Sequence, residues 1–117
     1  MLRRIAPLFT GRRGQLTLIQ ALREKDVLIV DVRTQQEVTE SGTCPGAVNI
    51  PLDAIPINAQ IFGEDLTRPV IFVCAKGIRA ANAADFLTRL GFSNSYSTTN
   101  AQSVMQLLNK AKSSKSD

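Results

Sequence analysis

The sequence predicts one α/β domain, built on a small, mainly parallel β-sheet with helices on both faces. Two apolar runs, Val27–Val32 (VLIVDV) and Pro69–Val73 (PVIFV), are short, β-branched and continuous rather than alternating. That is the pattern of strands covered on both sides. Helical patterns separate the strand patterns, as a layered α/β domain requires. The chain has 117 residues, enough to bury one core without disulfides or metals.

Each element has a local reason. Thr17 is placed to cap a short amphipathic helix over 18–24 (LIQALRE). After the first apolar run, Thr34 and Glu37 have the spacing of a capping box, and Gly42 is a natural stop for the helix they open. Ala47–Ile50 reads as a short strand ended by Pro51, and residues 52–62 as partly helical, broken near Pro56. The second apolar run carries its proline at the first position only, where a strand tolerates it. Residues 79–90 (RAANAADFLTRL) form a strong helix closed by Gly91, and Ser93–Ser97 a weak, polar strand. A terminal helix over 101–111 would place Val104, Leu107, Leu108 and Ala111 on one face.

The net charge of +4 is unevenly spread. Residues 1–14 hold four arginines and no acid, and residues 110–117 are also basic, so the segment between them is mildly acidic. The expected organisation is a basic flexible leader over 1–14, a folded domain over 15–110 and a polar tail over 111–117. The leader is Arg-rich, as an import signal would be, yet Ser-poor, and Pro7 interrupts it. With one Tyr, no Trp and an acidic body, nucleic acid is not an expected partner. No apolar run reaches the 18 residues or so of a membrane span, so a transmembrane role is set aside. With no His and two Cys, the usual zinc sites and His-based acid–base chemistry are excluded, and no metal or cofactor is expected.

The chemistry is expected at Val70–Ala84. An apolar strand ends at Val73, Cys74 follows, and a helix begins near Arg79. In open α/β sheets, ligands bind beyond the carboxyl ends of the strands, and a loop leading into a helix aims backbone N–H groups at its centre. Gly77 gives that loop backbone freedom. The amides, the positive helix end, Lys76 and Arg79 together favour negative charge on a sulfur placed there. The alternative from spacing alone is that Cys74 closes the strand as a small apolar residue.

The loop Cys74-Ala75-Lys76-Gly77-Ile78-Arg79-Ala80 resembles the active-site loop of single-domain rhodaneses. A second motif matches upstream: Asp31-Val32-Arg33, then Glu37, then the run from Gly42 to Pro51 (GTCPGAVNIP). Leu90-Gly91-Phe92 is a third match. The resemblance implies a sulfurtransferase in which Cys74 takes the outer sulfur of thiosulfate, becomes a persulfide, and passes the sulfur to cyanide, a thiol or a protein acceptor. Ala75, Lys76, Gly77, Ile78 and Arg79 would bind the donor, Arg79 contributing more than Lys76. Asp31, Arg33 and Glu37 would support the loop. Arg33 and Glu37 are expected to pair with each other, and Asp31, Asn49 and the helical Asp85 to be structural or solvated. A monomer in a reducing compartment, cytoplasmic or mitochondrial, fits two cysteines of which one must stay free.

Three positions depart from the family pattern: Thr43-Cys44 stands for its usual His-Ile, Thr99-Asn100 for its Gly-Gly, and the Trp after that is missing. These are expected to lie away from the Cys74 loop, with Cys44 a packing residue rather than a resolving thiol. Related phosphatases resemble this loop too, but theirs is one residue longer. The four residues between Cys74 and Arg79 favour sulfur. The alternative of another class is a non-catalytic module that binds a partner or senses redox state.

Overall fold

The computed structural model describes residues 13–99 and Gln106, so the helix expected over 101–111 lies, except for that residue, outside the described part. Thr17 opens α1 (Leu18–Arg23) with a complete capping box, its oxygen accepting from the Gln20 N–H while its own N–H donates to the Gln20 side chain. β1 (Leu28–Asp31) leads to α2 (Gln35–Ser41), whose Thr34–Glu37 box is closed in the same way and whose cap is Gly42. β2 (Ala47–Asn49), two 3₁₀ segments (Leu52–Ala54 and Pro56–Phe62), β3 (Val70–Val73), α3 (Ile78–Arg89) and β4 (Ser95–Thr98) complete the order. The expected helix over 52–62 is therefore two tight turns. Pro56 starts the second, and Asn58 leaves helical backbone space with φ −110° and ψ 20°.

The sheet has four parallel strands in the order β2-β1-β3-β4. Leu28 to Asp31 lie opposite Val70 to Val73, so the two apolar runs form its centre. Strand alternation divides them between two layers. Val30, Val32, Val70, Phe72 and Cys74 pack on one face with Ala80, Ala83, Ala84 and Leu87 of α3. Ile29, Ile71 and Val73 pack on the other with Ala21 and Leu22 of α1 and with Cys44. Burial on both faces is the physical cause of the unbroken apolar pattern. The alanine stripe lets α3 lie close against the sheet, and Phe62 meets Phe72 and Phe92 edge-on, with centroids 5.9 and 6.2 Å apart. Among the described residues, no helix is long and apolar enough to cross a membrane.

β4 begins two residues later than expected because Asn94 is used otherwise. Fully buried, it donates to the carbonyls of Gly14 and Thr67 and accepts from the Leu16 N–H and the Tyr96 hydroxyl. Arg13 is likewise tied down, reaching Glu24, Asp26 and Asp65 at 2.6–3.0 Å. Arg13 and Gly14, which composition assigns to the leader, are therefore fastened to the domain. The pairing of Arg13 with Asp65 and of Gly14 with Asn94, far along the chain, leaves no trace in local pattern.

Candidate active site

The chain runs from β1 outward to β2 and then returns to place β3 on the other side of β1. The carboxyl ends of β1 and β3 therefore flank the switch point where an open α/β sheet forms its crevice. β1 ends in Asp31, and β3 delivers Cys74 one residue beyond Val73. Because both strands are followed by helices, the amino ends of α2 and α3 stand beside each other at this edge.

Cys74 is 2% exposed and packs in the apolar layer under α3, as the bland reading of a buried cysteine requires. Its Sγ nevertheless accepts two backbone N–H bonds, from Gly77 at 3.0 Å and from Ala80 at 3.3 Å. Gly77 is the N-cap residue of α3 and has no side chain to offer the helix start, so the cysteine sulfur takes the capping role. The loop closes on the sulfur because Gly77 adopts φ +93° and ψ −17°, a left-handed conformation that most residues resist. Ala75 and Lys76 are exposed on the outside of this turn, and Ile78 is 71% exposed beside it.

The charged residues pair differently from the sequence expectation. Arg33 does not meet Glu37. It folds back on Asp31, with Nε 3.0 and 3.1 Å and Nη2 2.6 Å from the carboxylate, and Nη2 also donates to the Gly42 carbonyl. Both partners are buried, so this pair joins the end of β1 to the end of α2. Asn49 reinforces the corner by donating to the carbonyls of Asp31 and Arg33, each at 2.9 Å. Glu37 instead receives Arg79 through two bonds, Nη1 to Oε1 at 2.6 Å and Nη2 to Oε2 at 2.9 Å. The adjacency of β1 and β3 brings these side chains together from 42 residues apart. Arg79, with the capping donors of Thr34 behind it, holds the Glu37 carboxyl down at about 2. Arg79 is expected to lead Lys76 in donor binding because its side chain starts at the helix entrance; in the structure that guanidinium is paired with Glu37.

A second correction concerns the departures from the family pattern. Thr99 is not remote: its Cγ2 and Cα lie 3.6 and 3.7 Å from where a side chain on Gly77 would begin. The parallel pairing of β4 with β3 carries the chain past the loop, which no short-range motif reports. Cys44 is buried on the opposite face of the sheet from Cys74, and burial pushes its thiol up. It fills the α1 side of the core. Asp85 pairs with Arg89 on the exposed side of α3.

Residues 15–101 match the family described as the rhodanese-like domain. The mouse thiosulfate sulfurtransferase/rhodanese-like domain-containing protein 3 is 36% identical over 84 residues, 62% of this chain and 54% of that protein, so the chain spans about half of it. Thiosulfate sulfurtransferase GlpE of Pseudomonas syringae is 41% identical over 78 residues, covering 67% of this chain and 71% of that one. A rhodanese-related protein from Thermoplasma volcanium superposes with a TM-score of 0.57 at 28% identity, covering 70% of this chain and 79% of that one. With its parallel sheet, its loop cysteine at the carboxyl end of β3 and these relatives, the chain belongs to the rhodanese-like domain family.

Proposed function

We propose that this protein moves the sulfane sulfur of thiosulfate, or of a similar donor, to a thiophilic acceptor through a persulfide on Cys74. The observation that carries this reading is the Cys74 sulfur held by the Gly77 and Ala80 amides at the amino end of α3. Attack needs a thiolate, and two N–H donors with a helix start behind them meet negative charge on that atom. The thiolate attacks the outer sulfur of the donor. A new S–S bond forms at Cys74, the donor's S–S bond breaks, and sulfite leaves with the electron pair. Cyanide, a small thiol or a protein thiol then attacks the outer sulfur of the persulfide and regenerates the thiolate. Attack by a thiolate calls on no separate general base, so the cycle does not need the histidine that this sequence lacks.

In this reading the loop from Ala75 through Lys76, Gly77 and Ile78 to Arg79 binds the donor, and the exposed Lys76, two residues after the cysteine, meets its anionic group. Asp31, Arg33 and Glu37 hold the surrounding corner. The protein works as a monomer in a reducing compartment, where neither cysteine is lost to a disulfide.

Intact-mass measurement after incubation with thiosulfate tests the reading directly. Wild type gains the mass of one sulfur atom, loses it again on addition of cyanide and yields thiocyanate. Cys74→Ser does none of these. A wild-type protein that stays at its original mass and makes no thiocyanate would refute the proposal.

A further inference from the structure

The charges around the Cys74 loop say which donors suit it. Arg79 lies in the first turn of α3, one residue before the Ala80 amide that holds the sulfur, and it is within electrostatic reach of Cys74. Its guanidinium is nevertheless occupied by the two-bond pair with Glu37. Glu37 is not a loosely tethered surface acid. Its Oε1 also accepts from the Thr34 N–H at 2.9 Å and the Thr34 hydroxyl at 3.1 Å, so the carboxylate is fixed at the start of α2 before Arg79 arrives. The other nearby pair, Asp31 with Arg33, is closed on itself. Among the described residues, Lys76 is then the loop cation with no carboxylate against it.

We propose that Glu37 sets the charge of the donor site by holding Arg79 out of it, so that the site selects sulfane-sulfur donors with one negative charge over dianions. The inference rests on the sulfurtransferase reading and specifies its substrate class. The nucleophile itself carries a negative charge. Lys76 and the partial positive charge of the helix start offset it and leave little attraction for a second anionic group. A thiosulfonate or a thiol persulfide presents one charge at the reacting end, whereas thiosulfate presents two. Were Arg79 free, the dianion would gain.

Glu37→Gln separates charge from architecture. A capping box accepts Gln as well as Glu, and α1 of this same protein closes its box with Gln20. The comparison uses two small donors that differ by one charge, thiosulfate and the methanethiosulfonate anion. In each, the Cys74 thiolate forms an S–S bond to the outer sulfur, and sulfite or methanesulfinate departs with the electrons of the broken bond. Single-turnover rates of sulfur loading are read by mass for both donors, and their ratio cancels intrinsic reactivity across variants.

Glu37→Gln should raise the thiosulfate-to-methanethiosulfonate ratio by roughly threefold to tenfold, the scale of one screened charge near a surface. Adding Arg79→Gln to that variant should return the ratio to the wild-type value. A merely structural Glu37 would slow both donors alike and leave the ratio where it was. An unchanged or lowered ratio in Glu37→Gln would overturn the inference. So would a ratio that stays raised when Arg79→Gln is added to Glu37→Gln, because the gain would then not come from Arg79. If neither donor loads Cys74, the sulfurtransferase reading fails instead. The charge preference is then read from sulfate against methanesulfonate as protectants of Cys74 from iodoacetamide, with the same pattern expected across the variants.

Discussion

Gly77 is the residue at which the backbone must turn left-handed for the loop to bring two amides onto one sulfur. A side chain there would meet Thr99 only at ordinary contact distance, so the obstacle to substitution is the φ of +93° rather than space. Gly77→Ala should therefore cost about 1–2 kcal/mol. For a domain of this size each kcal/mol lowers the melting temperature by about 4–8 °C. Relief of the strain would swing the Gly77 and Ala80 amides away from Cys74, so sulfur loading from thiosulfate should slow as well. Calorimetry and single-turnover mass measurement on the same variant check both halves. Asp31 and Arg33 depend on each other differently, since each is buried and truncating one alone would strand the other's charge. Their role is to hold a corner rigid. Neither contributes a group to the sulfur.

At the scale of the element, the two helix starts do more than end helices. α2 begins with a capping box whose glutamate also reaches α3, and α3 begins with the sulfur of Cys74 as its acceptor. Both helix starts thus owe part of their order to the site between them. The pH dependence follows from Glu37, whose carboxyl sits at about 2 when folded against an ordinary 4.5. Because the folded value is the lower one, the unfolded chain binds more protons between the two. The stabilisation is complete above about pH 4.5 and is lost as the pH falls toward about 2. Urea midpoints of wild type and Glu37→Gln, measured across that window, should converge on acidification. A gap that stays constant would show that the pair with Arg79 adds nothing to stability.

At the scale of the whole molecule, the sheet is covered by α3 on one face and α1 on the other, and the amino-terminal strap around residues 13–16 is bound to the edge where β4 begins. Asn94 is the knot: it is fully buried and its amide makes four side-chain hydrogen bonds, two of them to the strap's backbone. Removing it leaves several buried polar groups unpaired, each costing about 1–3 kcal/mol. Asn94→Ala should destabilise the protein by about 3 kcal/mol. Amide exchange at Leu16 should rise more than exchange at Val30 in the sheet centre. Equal increases at both would mean that Asn94 holds the whole fold and not the strap in particular. The site lies at the opposite, carboxyl end of the strands. A strap variant that remains folded should keep its rate of sulfur loading.

What the sequence by itself determined is everything decided within a few residues along the chain. The capping boxes of Thr17 and Thr34, the glycine stops, the two buried strands and the Cys74–Gly77 turn into α3 are all of this kind, because their hydrogen bonds and periodicities join near neighbours. The tertiary structure alone decided which charges meet. Arg33 and Glu37, one helical turn apart, read locally as partners. Arg33 instead folds back onto Asp31 two residues before it, while strand order places Arg79 beside Glu37, brings Thr99 against Gly77 and carries Asp65 to Arg13. An ion pair depends on distance in space, and the parallel sheet sets that distance by laying segments side by side that the chain keeps dozens of residues apart.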